Sequence, residues 1–194
     1  MTLLAIRPLD DLETPLNRSL LHVFVVGPGR GEGIAVALPE RGWLLVDGAT
    51  SDLGRPPLLE ILERWKAGDD DRIEWALLSH PHDDHVDGFA EVINAQPPAA
   101  IGLAGVEGAP RYIDILKDAP IPPAGDDAIK ARKIRTAFRA VRTWEHDVGK
   151  KPATGVHRGT ILHERNGIGH LLCSGIHQFG DPFDQLAGDC DQLL

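Results

Sequence analysis

The stretch Leu77-Leu78-Ser79-His80-Pro81-His82-Asp83-Asp84-His85-Val86-Asp87-Gly88 decides how this chain is read. It grows out of a short apolar run, Trp75-Ala76-Leu77-Leu78, of the kind that forms a buried strand. Three histidines and two aspartates then fall within six residues. Neutral imidazole and carboxylate are the usual ligands of a catalytic metal, zinc above all, at about 2.0–2.2 Å. His80 and His82 are two residues apart and can point the same way. Asp84 and His85 follow on a turn and can face a second ion beside the first. Two ions roughly 3.5–4 Å apart share a bridging hydroxide, lower its pKa and clamp the charge that develops on a carbonyl or phosphoryl oxygen. One His-x-His on its own means little. The full order His-x-His-x-Asp-His after an apolar strand is far more specific. Zinc is the expected metal, and manganese or iron also suits the ligand types.

Upstream, Leu20 to Val26 reads as a strand rich in β-branched residues, followed by the glycine-rich Gly27-Pro28-Gly29-Arg30-Gly31-Glu32-Gly33. No Gly-Lys-Ser/Thr follows and the next segment, Ile34 to Leu38, is strand-like, so the glycines predict a flexible hairpin connection rather than a phosphate loop. Trp43 to Val46 forms a third strand that runs into Asp47-Gly48, which predicts two consecutive antiparallel hairpins. Leu58, Ile61, Leu62 and Trp65 recur at helical spacing, with proline at the start and a stop near Gly68, before an acidic turn at Asp69-Asp70-Asp71. Downstream, Phe89 to Ala95 reads as a helix, Ala99 to Ala104 as a strand, and Asp126 to Trp144 as a longer helix with Ile134, Phe138 and Val141 on one face. The alternation of strand and helix gives an α/β layer architecture.

Leu77 to Gly88 resembles the signature loop of metallo-β-lactamase-fold hydrolases, and Asp47-Gly48 resembles the earlier Asp-Gly of that family. The resemblance implies an αββα sandwich, clear in its first half and short or incomplete in its second. It implies two zinc ions, His80 and His82 on the first, Asp84 and His85 on the second, with Asp84 also orienting the nucleophilic hydroxide. Asp47 would be a structural support beside the site. Residues 20–105 are similar to the soluble relatives of the hydrolase domain in bacterial DNA-uptake channel proteins, which implies a phosphodiester or nucleic-acid-like substrate. A carboxylic ester, thioester, lactone or lactam is the alternative within the enzyme class, and an inactive metal-binding module the alternative outside it.

The family's second half brings a His, a bridging acid and a final His. His146, His157, His163, His170 and His177 are the candidates, yet no Asp lies between His157 and His177, where only Glu164 and Cys173 offer a bridge. If His177 is first, Asp181, Asp184, Asp189 or Asp191 follows, but no histidine does. Only 109 residues (194 − 85) follow His85, so a chain lacking its C-terminal part is expected, with a compact or degenerate member as the alternative. A single domain over 1–194 is expected, core-like over 1–148 and weakly patterned over 149–194, with short strands near Gly159–Leu162 and His170–Cys173.

Of the 194 residues, 42% are hydrophobic and 25% charged, the profile of a soluble globular protein. No apolar run approaches the ~20 residues needed to span a bilayer, and the N-terminus lacks a signal-peptide pattern, so a cytoplasmic setting without membrane contact is expected. Cys173 and Cys190 are too few for a disulfide scaffold. The net charge of −9 excludes a global basic field for nucleic acid. Nine of the 20 Lys and Arg residues nevertheless fall between Lys130 and Arg158. Lys130, Arg132, Lys133, Arg135, Arg139 and Arg142 make either a solvated helix face or a patch that holds phosphates. Sequence leaves the oligomeric state open.

Overall fold

The computed structural model describes residues 15–27, 32–40, 42–50, 54–68, 70–104, 124–150, 152–156, 164–165 and 168–169. The chain divides into two compact units, Met1–Val156 and His157–Leu194. In the first, β1 (His22–Val26), β2 (Gly33–Ala37) and β3 (Trp43–Val46) form the expected pair of hairpins, with Val23 opposite Val36 and Val36 opposite Leu44. The chain then changes from hairpins to crossovers. Helix α1 (Pro57–Trp65) carries it to β4 (Ile73–Leu78), parallel to β3. The turn α2 (Asp83–Val86) and helix α3 (Phe89–Ala95) lead to β5 (Ala100–Ala104), parallel to β4. Helix α4 (Asp126–Val148) precedes β6 (Ala153–Val156), parallel to β5. The six strands lie side by side in chain order. In the second unit, β7 (Glu164–Arg165) pairs antiparallel with β8 (Ile168–Gly169).

The helical spacing of apolar residues is what seats α1. Leu58, Ile61, Leu62 and Trp65 are all buried, one stripe along one face. Each such side chain contributes about 1.5–3 kcal/mol when removed from water. Trp65 meets Phe24 of β1 with ring centroids 5.1 Å apart, and Phe24 stacks on Trp43 of β3 at 5.8 Å. Helix α3 buries Phe89, Ala90, Val92 and Ile93. Helix α4 buries Ala137, Phe138, Ala140, Val141 and Trp144, and the Trp144 indole donates to the Pro98 carbonyl at 2.8 Å. It runs four residues beyond the expected end at Trp144. Nothing in Glu145 to Val148 breaks a helix, and Gly149 in the left-handed region (φ 68°) is the first residue that does.

Strand β6 lies beyond Val148, where the sequence pattern weakens, and still joins the sheet through Gly102 and Leu103 of β5. At the opposite edge β1 turns Phe24 and Val26 inward and leaves Val23 and Val25 exposed. Among the described residues no helix is long and apolar enough to cross a membrane. The strands expected at Gly159–Leu162 and His170–Cys173, and both cysteines, lie outside the described residues.

Candidate metal centre

Parallel strands β3 and β4 end side by side, and the loops that leave them carry the chemistry. Open α/β sheets place ligands at the carboxyl ends of their strands for this reason. Asp47 leaves β3 with φ 59°, a left-handed conformation that aspartate tolerates better than most residues. Its N–H donates to the Leu77 carbonyl of β4 at 2.7 Å. Gly48 then lies so close to the histidine loop that a Cβ there would sit 2.4 Å from the Asp87 carbonyl oxygen. Its N–H donates to the His85 carbonyl at 2.7 Å. Gly88 is the reciprocal contact. It adopts φ 77°, and a Cβ on it would meet the Ala49 carbonyl at 2.6 Å. The two glycines let the loops interlock, backbone against backbone.

The loop after β4 is not wholly irregular. Asp83–Val86 form one helical turn, in which the His85 and Val86 N–H groups both donate to the His82 carbonyl. Asp83 and Asp84 occupy its positive end, where carboxylates are favoured. The turn swings His85 back toward His80, with ring centroids 3.9 Å apart, and His82 meets His80 edge-on at 4.5 Å. Asp84 Oδ2 lies 3.9 Å from His85 Nε2. Of the four residues expected to bind metal, His80 and His85 bring candidate ligand atoms together, in a group with Asp47, while the His82 ring lies beside His80 and the Asp84 carboxylate beside His85. His146 does not join them: it is exposed at the far end of α4, with its ring against Asp147 at 3.0 Å. His157, His163, His170, His177, Cys173, Asp181, Asp184, Asp189 and Asp191 lie outside the described residues. Glu164 lies in β7 of the second unit.

Beneath the histidines is a buried network that fixes their protons. Asp47 Oδ1 accepts the Ser79 N–H at 2.6 Å, and Asp47 Oδ2 accepts both the Ser79 hydroxyl and His85 Nδ1, the latter at 2.8 Å. A carboxylate only accepts, so His85 carries its proton on Nδ1. The single hydroxyl proton of Ser79 is committed to Asp47. The 2.9 Å contact between Ser79 Oγ and His80 Nδ1 therefore requires His80 Nδ1–H to donate. In the neutral form of either ring the lone pair is then on Nε2. Burial, and then repulsion from His85 and His82, lowers the pKa of His80 and so favours its neutral form. The hydrogen bond to Asp47 raises that of His85 against the opposing effect of burial, so an incoming ion there competes with a proton.

Bared Nε2 atoms backed by hydroxyl and carboxylate are the donor set a divalent ion requires, with the outer partners that orient such ligands. Asp47, His80 and His85 bring one candidate ligand atom each within 4.8 Å of one another. The carboxylate of Asp47 already accepts three protein hydrogen bonds, so the geometry suits it to support rather than direct ligation. Sequence reasoning gave Ser79 no role, although a hydroxyl residue between a buried strand and the first histidine was the available signal.

Residues 27–176 match the family model of the metallo-beta-lactamase superfamily. The chain belongs to that superfamily, and its sheet with flanking helices is the α/β fold of its members. A solved structure of AidC, a dizinc quorum-quenching lactonase in complex with a product, is similar at 20% identity and a TM-score of 0.38. The similarity covers 58% of this chain and 40% of that one. Comparison with curated proteins found no match.

Proposed function

We propose that the chain is a zinc-dependent hydrolase whose centre is held by His80, His82, Asp84 and His85, with two ions when fully loaded. The observation that carries this is the hydrogen-bond geometry of the Asp47–Ser79–His80 and Asp47–His85 network, which engages Nδ1 of both rings and so puts the lone pair of each neutral ring on Nε2. When bound, such ions lower the pKa of a coordinated water and polarise the oxygen of the bond to be cleaved. The protein's own part is orientation. Asp84 is about one-third exposed at the mouth of the cluster and supplies a carboxylate that accepts a hydrogen bond from the attacking water. Asp47 and Ser79 hold the imidazoles in the tautomer a metal needs. A cytoplasmic setting goes with this reading.

For the substrate we favour a phosphodiester. Lys130, Arg132 and Arg139 are exposed on α4, and that helix packs on α2 and α3 beside the histidine loop. One observation favours an uncharged ester, thioester, lactone or lactam instead: Lys133 and Arg142 are already neutralised by Asp87 and Glu145. Hydrolysis of a phosphodiester reporter and of a simple lactone, each over a range of salt, separates the two. Faster phosphodiester turnover is expected, falling with salt and falling likewise in Arg139→Glu. Faster lactone turnover without salt dependence would remove the phosphodiester and leave the basic helix as a solvated face.

A further inference from the structure

Asp87 occupies a junction just past the four grouped residues. It is the C-terminal cap of the turn that carries Asp84 and His85, and its own carbonyl sets the close approach of Gly48. Its side chain points the other way, to α4, where Lys133 Nζ donates to Asp87 Oδ2. Both side chains are about one-third exposed or less. The turn packs against α4, and the ion pair adds a polar tie between them at this point. A cleft of about 210 Å³ opens there, lined by Asp87, Glu91, Ile129, Arg132, Lys133 and Thr136. Val86, a buried residue of the turn, also lines this cleft, and the Asp87–Lys133 ion pair lies along it.

We infer that Lys133 is a positioning residue of the metal centre: through Asp87 it clamps the Asp83–Val86 turn to α4 and so sets where Asp84 and His85 stand relative to His80. This rests on the metal-centre reading above. The turn is held from two sides, by the Gly48 N–H on the β3 side and by Lys133 on the α4 side. Releasing the second side removes the polar tie between the turn and α4 beside the cleft. Ligand spacing then loosens while the helix itself stays intact. Arg132 and Glu91 line the same cleft, and Lys133 is the cation whose ammonium reaches Asp87 there.

The test is zinc affinity, measured by competition with a chromophoric chelator on the full chain, alongside helix content and thermal midpoint. Lys133→Met and Asp87→Asn are expected to bind zinc about tenfold more weakly at unchanged helix content, as for loss of an outer-shell support. The double variant should be no weaker than either single one, because both remove the same pair. Lys133→Arg should restore affinity to within about threefold, since it restores the charge. Arg142→Met, which breaks the Arg142–Glu145 ion pair farther along α4, should leave affinity unchanged. Wild-type affinity in both Lys133→Met and Asp87→Asn overturns the positioning role, as does an equal loss in Arg142→Met. A wild-type chain that binds no zinc overturns the metal centre itself, a separate result.

Discussion

At the scale of single residues, the centre depends on where protons sit. Asp47 accepts three hydrogen bonds through two oxygens, and those bonds dictate the tautomers of His80 and His85. Asp47→Asn tests this cleanly. Asparagine tolerates the left-handed backbone that residue 47 adopts, so the loop keeps its path. Its amide, however, presents N–H donors where the carboxylate only accepted. With the amide nitrogen at the Oδ2 position, both the Ser79 hydroxyl and His85 Nδ1 lose their acceptor, and a donor facing Nδ1 drives the histidine proton to Nε2, where the lone pair is needed. The expected outcome is a zinc affinity lower by about 10–100-fold, with stability lower by about 1–3 kcal/mol from the unmatched buried group. Chelator competition and thermal melting measure the two. Affinity within twofold of wild type would show that the tautomers are not set by Asp47. The four grouped residues were legible because their spacing is itself the signal. Ser79 was not, since a serine after an apolar run marks strand ends in many proteins without any site.

At the scale of elements, sequence was legible wherever period and punctuation agreed. Strand β3 and helix α3 fall at the expected residues because turn residues bracket each of them. Helix α2 was read as loop, since four residues carry no period and its place is set by the Gly48 N–H bond to the His85 carbonyl and by the interlocked glycines. Asp71 was read as part of an acidic turn, yet it is buried and ties three elements together. Its carboxylate accepts from the Gly42 N–H, the Trp43 indole, the Ala67 N–H and Arg18. Burial opposes ionisation there, but these donors and the Arg18 charge outweigh it and hold Asp71 below the ordinary carboxylate value. Because the folded pKa is the lower one, its stabilisation is fully present above the unfolded value of about 3.9 and is lost as pH falls through the folded value. Asp71→Asn should cost about 3 kcal/mol at neutral pH, a fall of roughly 6–12 °C in thermal midpoint for a chain of this size. That deficit should shrink below about pH 4. An equal deficit at pH 3 and pH 7 would show that shape, not charge, matters at this position.

At the scale of the whole molecule, hairpins followed by right-spaced crossovers place two strand ends next to each other, and the site is what those ends carry. The α/β class was legible because each apolar run has a length and flanks that fix its type. What the chain does after β6 was not, because residues 157–194 mix glycine, histidine and aspartate with scattered apolar residues and offer no sustained period. The late histidines therefore could not be assigned from spacing, and among the described residues only His80, His82 and His85 converge. A two-ion centre is the claim on which the functional reading stands. It is tested most directly by elemental analysis of the purified chain and of His80→Ala after equilibration with zinc. The expected result is two zinc ions per wild-type chain and an affinity lower by at least about tenfold in the variant, as loss of a direct ligand exceeds loss of an outer support. At most one ion per wild-type chain, or undiminished binding in His80→Ala, would contradict it.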